Sequence, residues 1–555
     1  MLDVGGGAIR ILVLTNLYPP RFIGGYELRC QSVVEGLRRL GHTVEVLTSR
    51  FGSTEPEPAE EDVLRRLHIS HGPPYPPEDL KGFLEAELQD RLTLLRAIAE
   101  MRPDVVDVWG MEFASQSMIQ SLSQTGLPIH FSLEDKWLLD GHARDPLCNL
   151  TQLASELNVE ADPGIRHICC LGLTRPNSRH CSVTFASNSL ARHYRDAGFD
   201  HPSTRVRIAG IDLTPFRRIE RGSDPPPFVI LCVGQLTASR GQADLIRAAI
   251  LFAKRNDDDA PILVRFVGGG NAAYTEELQQ LADETVLDNM SVDFVGPVHP
   301  EDVAQWYAKA HLFVHTSHLP EGLPRVLMEA MAAGVPVIST DSGGQRDILQ
   351  DGRWGAMVPP GRPEVLAGQI RRCVKDYRGW IERAEQARQR ALEAFDIDAY
   401  VQGHSEDLRE AALQHPVTQA DVEAHPPLQK DGISAFVSAL ADAAEEQVVS
   451  GDVAEDPDRA WRLGVVLKRC GRDLAALDVF TKLRERYKPD KAHMRRANFH
   501  LAELALVQRR WAEACVMLQA CLAIAPDHAK AAYDLEYAVK RNVPRHLRGL
   551  VVSRA

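Results

Sequence analysis

The sequence predicts an α/β protein: two successive domains built on parallel sheets, followed by an all-α helical module. Three observations carry this expectation. Short apolar runs alternate with amphipathic segments from Ile9 onward. The alternation restarts after a Pro-rich stretch, "GSDPPP" at 222–227. Beyond about Ala384 only helical periodicity remains, and it ends in two similar stretches. A chain of 555 residues is too long for one hydrophobic core, which agrees with three or more folded units.

The first domain opens on "IRILVLT", a run with the length and branching of a buried strand. After a loop containing Pro19, Pro20, Gly24 and Gly25, residues Leu28, Val33, Val34, Leu37 and Leu40 recur at helical spacing. They predict an amphipathic helix over Tyr26–Leu40, with Gly41 as its C-terminal cap and "HTVEVLT" as the next strand. Strand–helix–strand order requires parallel pairing. Further strands are expected at 103–109, 128–133 and 182–187. The second domain repeats the layout: "FVILCVG", a helix over Ala243–Lys254, "ILVRFVGGG", then "VDFVG", "HLFVHTS" and "VPVIST". Two such units joined by a Pro-rich hinge describe facing Rossmann-like domains, and the cleft between them is the default ligand site. The expected boundaries are 1–221, 222–413, an acidic and weakly ordered linker over 414–456, and a helical module over 457–545.

Within that module "WRLGVVLKRCGRDLAALDVFTKLRERYKP" (461–489) parallels "HLAELALVQRRWAEACVMLQACLAIAP" (500–526). Gly464 matches Ala502, Ala476 matches Ala514 and Phe480 matches Leu518. Small residues at a helix crossing, a bulky residue one turn later and a closing Pro resemble the tetratricopeptide repeat. The offset of 38 residues predicts a lengthened connection, and a capping helix is expected over 529–541. Residues 459–555 carry 20 Lys/Arg against 9 Asp/Glu. That local +11, against −13 for the whole chain, leaves −24 on the remainder. The module is therefore expected to dock on the acidic body, or to meet an acidic protein partner or an anionic membrane surface. Long basic runs with interleaved aromatics are lacking, which argues against nucleic acid.

The ten cysteines follow no disulfide framework, and the apolar runs are far shorter than a membrane span. With no secretory pattern at the start, the expectation is a cytoplasmic protein, peripheral at most to the inner membrane face.

The sharpest chemical signal is "PEGLPRVLMEAMAAGVPVIST" at 320–340. Glu321 and Glu329 flank Gly322, Leu323 and Pro324, which are expected to open a helix whose free N–H groups can hold phosphate or sugar hydroxyls. Ala330, Ala332, Ala333 and Gly334 let that helix lie close to the sheet. Other recurring strings are "GG-x-E" (Gly24, Gly25, Glu27), "GH-x-V" (Gly41, His42, Val44), "GFDHPSTRVRIAGIDLTPF" (198–216), "VGQLTASRG" (233–241), "DFVGPV" (293–298) and "SGGQRD" (342–347).

In this order and spacing the strings resemble the retaining glycosyltransferases of family 4, also called group 1, which have the GT-B fold. The resemblance covers residues 9–400. It implies a nucleotide diphosphate sugar bound mainly by the second domain, and a glycan, lipid-linked or protein acceptor bound mainly by the first. It also implies a hexose transferred with retention, no metal and no further cofactor. By resemblance Glu329 binds the donor ribose, Glu321 and the backbone from Gly322 to Arg325 hold the donor sugar, and Arg240 binds the diphosphate. Gly24 and Gly25 then let the first-domain loop approach that diphosphate. Two departures stand out. Gln235 occupies the place of a family arginine, and Glu134–Asp135 that of a His–Asp pair thought to lie near the reacting carbon. These changes keep a second reading open, a weakened transferase body that binds nucleotide or glycan and recruits partners through its helices.

Weaker candidates read as structure. Asp257–Asp259 fits a solvated helix end; Cys148, Cys169, Cys170 and Cys181 match no zinc spacing; His299, His311, His315 and His318 fit packing or surface positions. "FVGGGN" (266–271) lacks dinucleotide-binding spacing.

Overall fold

The computed structural model describes residues 7–50, 62–68, 80–139, 181–219, 227–255, 261–414, 430–449 and 456–525, less isolated positions within them, with scattered residues at 154–159 and 528–538. Two parallel sheets form the body. The first contains β1 (Arg10–Leu14), β2 (Thr43–Ser49), β3 (Val63–Leu67), β4 (Val105–Val108), β5 (Ile129–Leu133), β6 (Cys181–Phe185) and β7 (Thr204–Val206). Their spatial order is β3-β2-β1-β4-β5-β6-β7. The second contains β8 (Phe228–Val233), β9 (Ile262–Val267), β10 (Met290–Gly296), β11 (Leu312–His315), β12 (Val337–Thr340) and β13 (Ala356–Val358), in the order β10-β9-β8-β11-β12-β13. Both sheets reverse direction of winding beside their first strand, at β1/β4 and β8/β11, so each opens a crevice at its carboxyl edge.

Every strand expected from the sequence is present. β3, β7 and β13 were not expected: they lie at sheet edges, read VLRRL, TRV and AMV, and are too short or too polar for an apolar run to reveal. Helix α1 (Gly25–Arg39) buries Cys30, Val33, Val34 and Leu37, and Gly41 follows its C-cap at φ +89°.

The crossover to the second domain comes earlier than the Pro-rich stretch at 222–227. Phe216 is already buried against Tyr307, with ring centroids 5.9 Å apart. The chain returns to the first domain through the helix Ile397–Gln414, which packs against α1 and β4. There the buried His404 Nε2 lies 2.7 Å from Asp107 Oδ2, and Asp107 also accepts hydrogen bonds from Trp109 Nε1 (2.7 Å) and Ser132 Oγ (2.8 Å).

The helical region departs from expectation in two ways. Residues 430–449, expected within a weakly ordered linker, form a helix packed on the long first-domain helix Leu80–Met101. The offset of the two hairpins is also not a longer connection. Their first helices (Pro457–Arg469 and Lys491–Val507) start 34 residues apart, and their second helices (Asp473–Arg486 and Trp511–Ile524) start 38 apart. The difference is one additional turn inside Lys491–Val507. A Cβ on Gly464 would fall 2.7 Å from the Phe480 ring, which explains the small residue at that crossing. Leu84, Phe436, Leu440, Leu463, Phe480 and Leu501 share one core cluster, so the hairpins are joined to the first domain by apolar burial. Arg472 adds ion pairs to Asp442 (2.6 Å) and Glu445 (3.4 Å), where basic hairpin meets acidic helix. The expected capping helix lies mostly outside the described residues, though Ala531, Leu535 and Ala538 are buried. Among the described residues no helix is long and apolar enough to cross a membrane.

Candidate active site

The carboxyl ends of β1, β4 and β5 face those of β8, β9 and β11 across a cleft of about 610 Å³. Gly24, Gly25, Glu134, Asp135, Gln235, Arg240, Glu321, Gly322, Leu323 and Pro324 all line it. Residues from seven separated segments of the sequence thus converge on one crevice.

On the second-domain wall, the turn carrying Arg240 is pinned from below. Gly241 sits at φ +68°, and a Cβ there would fall 2.3 Å from the Thr316 carbonyl. Thr316 Oγ1 also donates to the Arg240 carbonyl at 2.9 Å. The Arg240 guanidinium pairs with Glu321 Oε1, and His315 Nε2 lies 3.2 Å from the same oxygen. Burial favours the neutral acid at Glu321, but His315, Arg240 and Ser317 outweigh it and hold the carboxyl well below the usual range. Gly343 and Gly344 cradle this turn: Gly344 N donates to the Glu321 carbonyl (2.9 Å), and a Cβ on Gly344 would fall 1.9 Å from the Gly322 oxygen. Asp347, from the same "SGGQRD" string, reaches the first domain and accepts from Asn188 Nδ2 (2.8 Å) and Ser189 N (2.9 Å). The "FVGGGN" stretch lines the cleft as well, through Gly268 and Gly269.

One expectation about the "PEGLPRVLMEAMA" segment needs correction. The helix begins at Arg325 with Pro324 as N-cap, so Gly322 and Pro324 precede it rather than open it. A Cβ on Gly322 would lie 1.7 Å from the Glu134 carbonyl oxygen, so this glycine lets the two domains touch. Glu329 does not line the cleft. It is 4% exposed, accepts from Tyr307 Oη on Oε2 (3.0 Å) and from Arg325 Nε on Oε1 (2.7 Å), and so has both oxygens occupied. Arg325 itself lines the cleft beside Gly25. Among the described residues nothing obliges a glycine at Gly24: its backbone is extended, and an added Cβ would meet none of them within 4 Å.

The first-domain wall is acidic. Glu27 Oε2 accepts from Gly24 N at 2.9 Å, so the acid of "GG-x-E" supplies the N3 half of a capping box, with no side chain on Gly24 to return the bond, and fixes the loop's entry into α1. Glu134 Oε2 pairs with Arg29 Nη1, both side chains being almost fully buried, and Arg29 Nε donates to the Gly210 carbonyl (3.1 Å). Asp135 Oδ1 accepts from Trp137 N (2.8 Å). Burial, with Glu112, Glu134 and Glu27 nearby, pushes the Asp135 carboxyl up to about 7.

Sequence reasoning missed Arg29, Glu112 and His315, which all line the cleft. His315 ends β11, a strand beside the winding reversal, and that position was the available signal. Arg29 sits one turn into an amphipathic helix, where periodicity says only that it faces inward. Arg207, in the "GFDHPSTRVRIAGIDLTPF" string, donates to Asp407 at 3.0 Å. Cys148, Cys169, Cys170 and Asp257–Asp259 lie outside the described residues. Among the described residues no group of three or more His, Cys, Asp or Glu is arranged to hold a metal.

Two family models match consecutive parts of the chain: Glycosyltransferase Family 4 over residues 23–214 and Glycosyl transferases group 1 over residues 215–393. Residues 23–393 are thus similar throughout to glycosyltransferases, the first half to Family 4 and the second to group 1. A D-inositol 3-phosphate glycosyltransferase of Nocardioides sp. is 26% identical over 385 residues, 64% of this chain and 78% of the relative. Anabaena HepE, crystallised with UDP-glucose, shares the fold with a TM-score of 0.52 at 21% identity, over 72% of this chain and all of the other. Sucrose-phosphate synthase of Thermosynechococcus elongatus superposes with a TM-score of 0.54 at 19% identity, over 72% and 98%. The matched region ends at residue 393, ahead of the helices from Lys430 onward.

Proposed function

We propose that this glycosyltransferase moves a hexose from a nucleoside diphosphate sugar to a glycan, lipid-linked or protein acceptor, with retention at the anomeric carbon. The observation that carries the donor class is the second-domain wall: Arg240 and Arg325 stand beside the glycine-rich turns at Gly234 and Gly268–Gly269, a setting made for a diphosphate. HepE, of the same fold, binds UDP-glucose.

In the reaction, Arg240 exchanges Glu321 for the diphosphate. Glu321, kept ionised by His315, is then free to accept from a sugar hydroxyl. Charge building on the leaving diphosphate is met by Arg240 and by backbone N–H groups, and that diphosphate takes the acceptor's proton. Ribose recognition by Glu329 requires Arg325 to swing away from Oε1.

A thermal-shift panel of UDP-, GDP-, ADP- and CDP-sugars tests this, because a ligand bound by the native state raises Tm. Donor-dependent transfer or hydrolysis supports the proposal. A protein that binds donor yet releases no sugar supports the second reading, a binding scaffold. Two observations favour that alternative: Gln235 supplies no charge to the cleft, and Glu134 is held by Arg29.

A further inference from the structure

We propose that Arg325 couples recognition of the two halves of the donor: it covers Glu329 in the free protein and passes to the diphosphate when the nucleoside takes its place. This deepens the transferase reading above and rests on it. The two arginines on the second-domain wall of the cleft, Arg240 and Arg325, are both paired in the free protein, with Glu321 and with Glu329. Neither offers an unpaired charge to an anion, so a diphosphate must exchange partners with each. For Arg240 the exchange is simple, because Glu321 lines the cleft beside it. Arg325 differs, because it lines the cleft and its partner does not.

Glu329 follows Arg325 by one turn of the same helix. Its Oε2 is held by the hydroxyl of the buried Tyr307 (3.0 Å), and its Oε1 by Arg325 Nε (2.7 Å). The carboxylate is thus anchored on its buried side, and the oxygen left for a ligand is the one Arg325 covers. The Arg325 side chain is 22% exposed, and its bond to Glu329 uses Nε alone. Its stem runs past the glycine loop of the first domain, since a Cβ on Gly25 would lie 3.5 Å from Arg325 Cδ. Breaking a buried ion pair by removing one partner leaves the other charge uncompensated. A nucleoside alone brings hydroxyl donors to Oε1 but gives the guanidinium nothing in return. Inorganic pyrophosphate alone draws Arg325 away and leaves the buried carboxylate with Tyr307. A nucleoside diphosphate replaces both partners at once, hydroxyls for Arg325 on Glu329 and phosphate oxygens for Glu329 on Arg325. Gln235 on the same wall adds no charge, so Arg325 is the second guanidinium that a diphosphate can recruit there.

The test uses the full chain and the base whose UDP-, GDP-, ADP- or CDP-sugar gives the largest thermal shift. Affinities for the free nucleoside, its diphosphate and inorganic pyrophosphate are measured by calorimetry. Arg325→Ala should move two of these ligands in opposite directions, weakening the nucleoside diphosphate by about tenfold or more while tightening the nucleoside severalfold. Glu329→Gln, which keeps the shape of the side chain and an acceptor for Arg325, should do the reverse, tightening pyrophosphate and weakening the nucleoside. It decides the matter if Arg325→Ala does not fold. A side chain that only supports the local structure would shift all three ligands the same way. Parallel losses in a folded variant, no change in either variant, or no measurable nucleoside binding to Arg325→Ala overturn the inference and leave the donor assignment standing. A parent protein whose Tm moves with no nucleotide sugar refutes the transferase reading, and this inference with it.

Discussion

Glu134, which the family resemblance places where a histidine is expected, is held in a buried ion pair with Arg29 that can be tested as a thermodynamic cycle. Arg29 is 3% exposed and Glu134 8%, and the pair joins α1 to the end of β5. Taking away one partner leaves the other charge in a site that excludes water, so Arg29→Met should cost about 3–5 kcal/mol. For a domain of this size that is a fall of roughly 6–20 °C in the Tm of the first-domain transition. Glu134→Leu alone should fall comparably, because Arg29 then keeps only the Gly210 carbonyl. The double variant removes both charges and should recover most of the loss, giving a coupling of about 2 kcal/mol or more. The assay is calorimetry of all four proteins, with the transition assigned by intrinsic fluorescence, since several domains need not unfold together. Single variants within about 1 kcal/mol of the parent, or a double variant whose loss is the sum of the singles, would refute this account. The pair would then be a solvated contact with little claim on the stability of the site.

Asp135→Asn should stabilise the protein at neutral pH. With the folded carboxyl at about 7, facing Glu112, Glu134 and Glu27, its stabilising contribution is complete below the unfolded pKa and is lost as pH rises towards 7. The advantage of the variant should therefore grow by up to about 1.4 kcal/mol per pH unit between pH 4 and 7 and level off above; a flat difference across that range contradicts the assignment. Gly322→Ala should force the domains apart, since its Cβ would fall 1.7 Å from the Glu134 oxygen. A larger radius of gyration by small-angle scattering and about tenfold weaker donor binding are expected, and an unchanged radius counts against a tight contact there. Gln235→Arg should tighten nucleoside diphosphate binding, most clearly at low salt; equal affinity at every ionic strength means that Arg325 already fills that place. Deleting residues 450–555 should uncover Leu84, Phe436 and Leu440 and lower solubility while donor binding persists; loss of binding in a folded truncation would place the hairpins in the active site.

Much of this was legible because it rests on local rules. The buried strands are continuous apolar runs, α1 ends at a glycine with positive φ, and the converging candidates lie at carboxyl ends of strands, where open parallel sheets hold their ligands. Edge strands escaped because pairing with one neighbour asks little of the side chains. The surroundings of Glu329 were not legible for a different reason. Its spacing from Glu321 is visible in the sequence, but whether its carboxylate faces a ligand depends on Tyr307 and Arg325, one of them 22 residues away in the chain. Arg29 and Glu134 are 105 residues apart, and no periodicity links them. The acidic stretch at 430–449 looked unstructured by composition, but its apolar face finds partners in the helix Leu80–Met101 and in the first hairpin.

The two crossings between domains also constrain how the cleft can open. Ile211 N donates to the Phe395 carbonyl at 2.8 Å, so the outgoing and returning chains run side by side. A Cβ on Gly210 would fall 2.8 Å from the Asp396 carbonyl, which keeps them in contact. Beyond this point the returning helix is fixed to the first sheet by His404 on Asp107 and by Arg205 and Arg207 on Asp407. Those pairs make Ile397–Gln414 part of the first domain in mechanical terms, although it follows the second in sequence. The two crossings are bridged to each other at Ile211 and Asp396. Across the cleft, the domains are joined by Asp347 on Asn188 and Ser189 and by Gly322 on Glu134. Opening must break the two Asp347 hydrogen bonds and separate the Gly322 contact, but it leaves Arg240, Glu321 and His315 together on one body. The cluster assigned to the donor thus stays assembled while the acceptor wall moves.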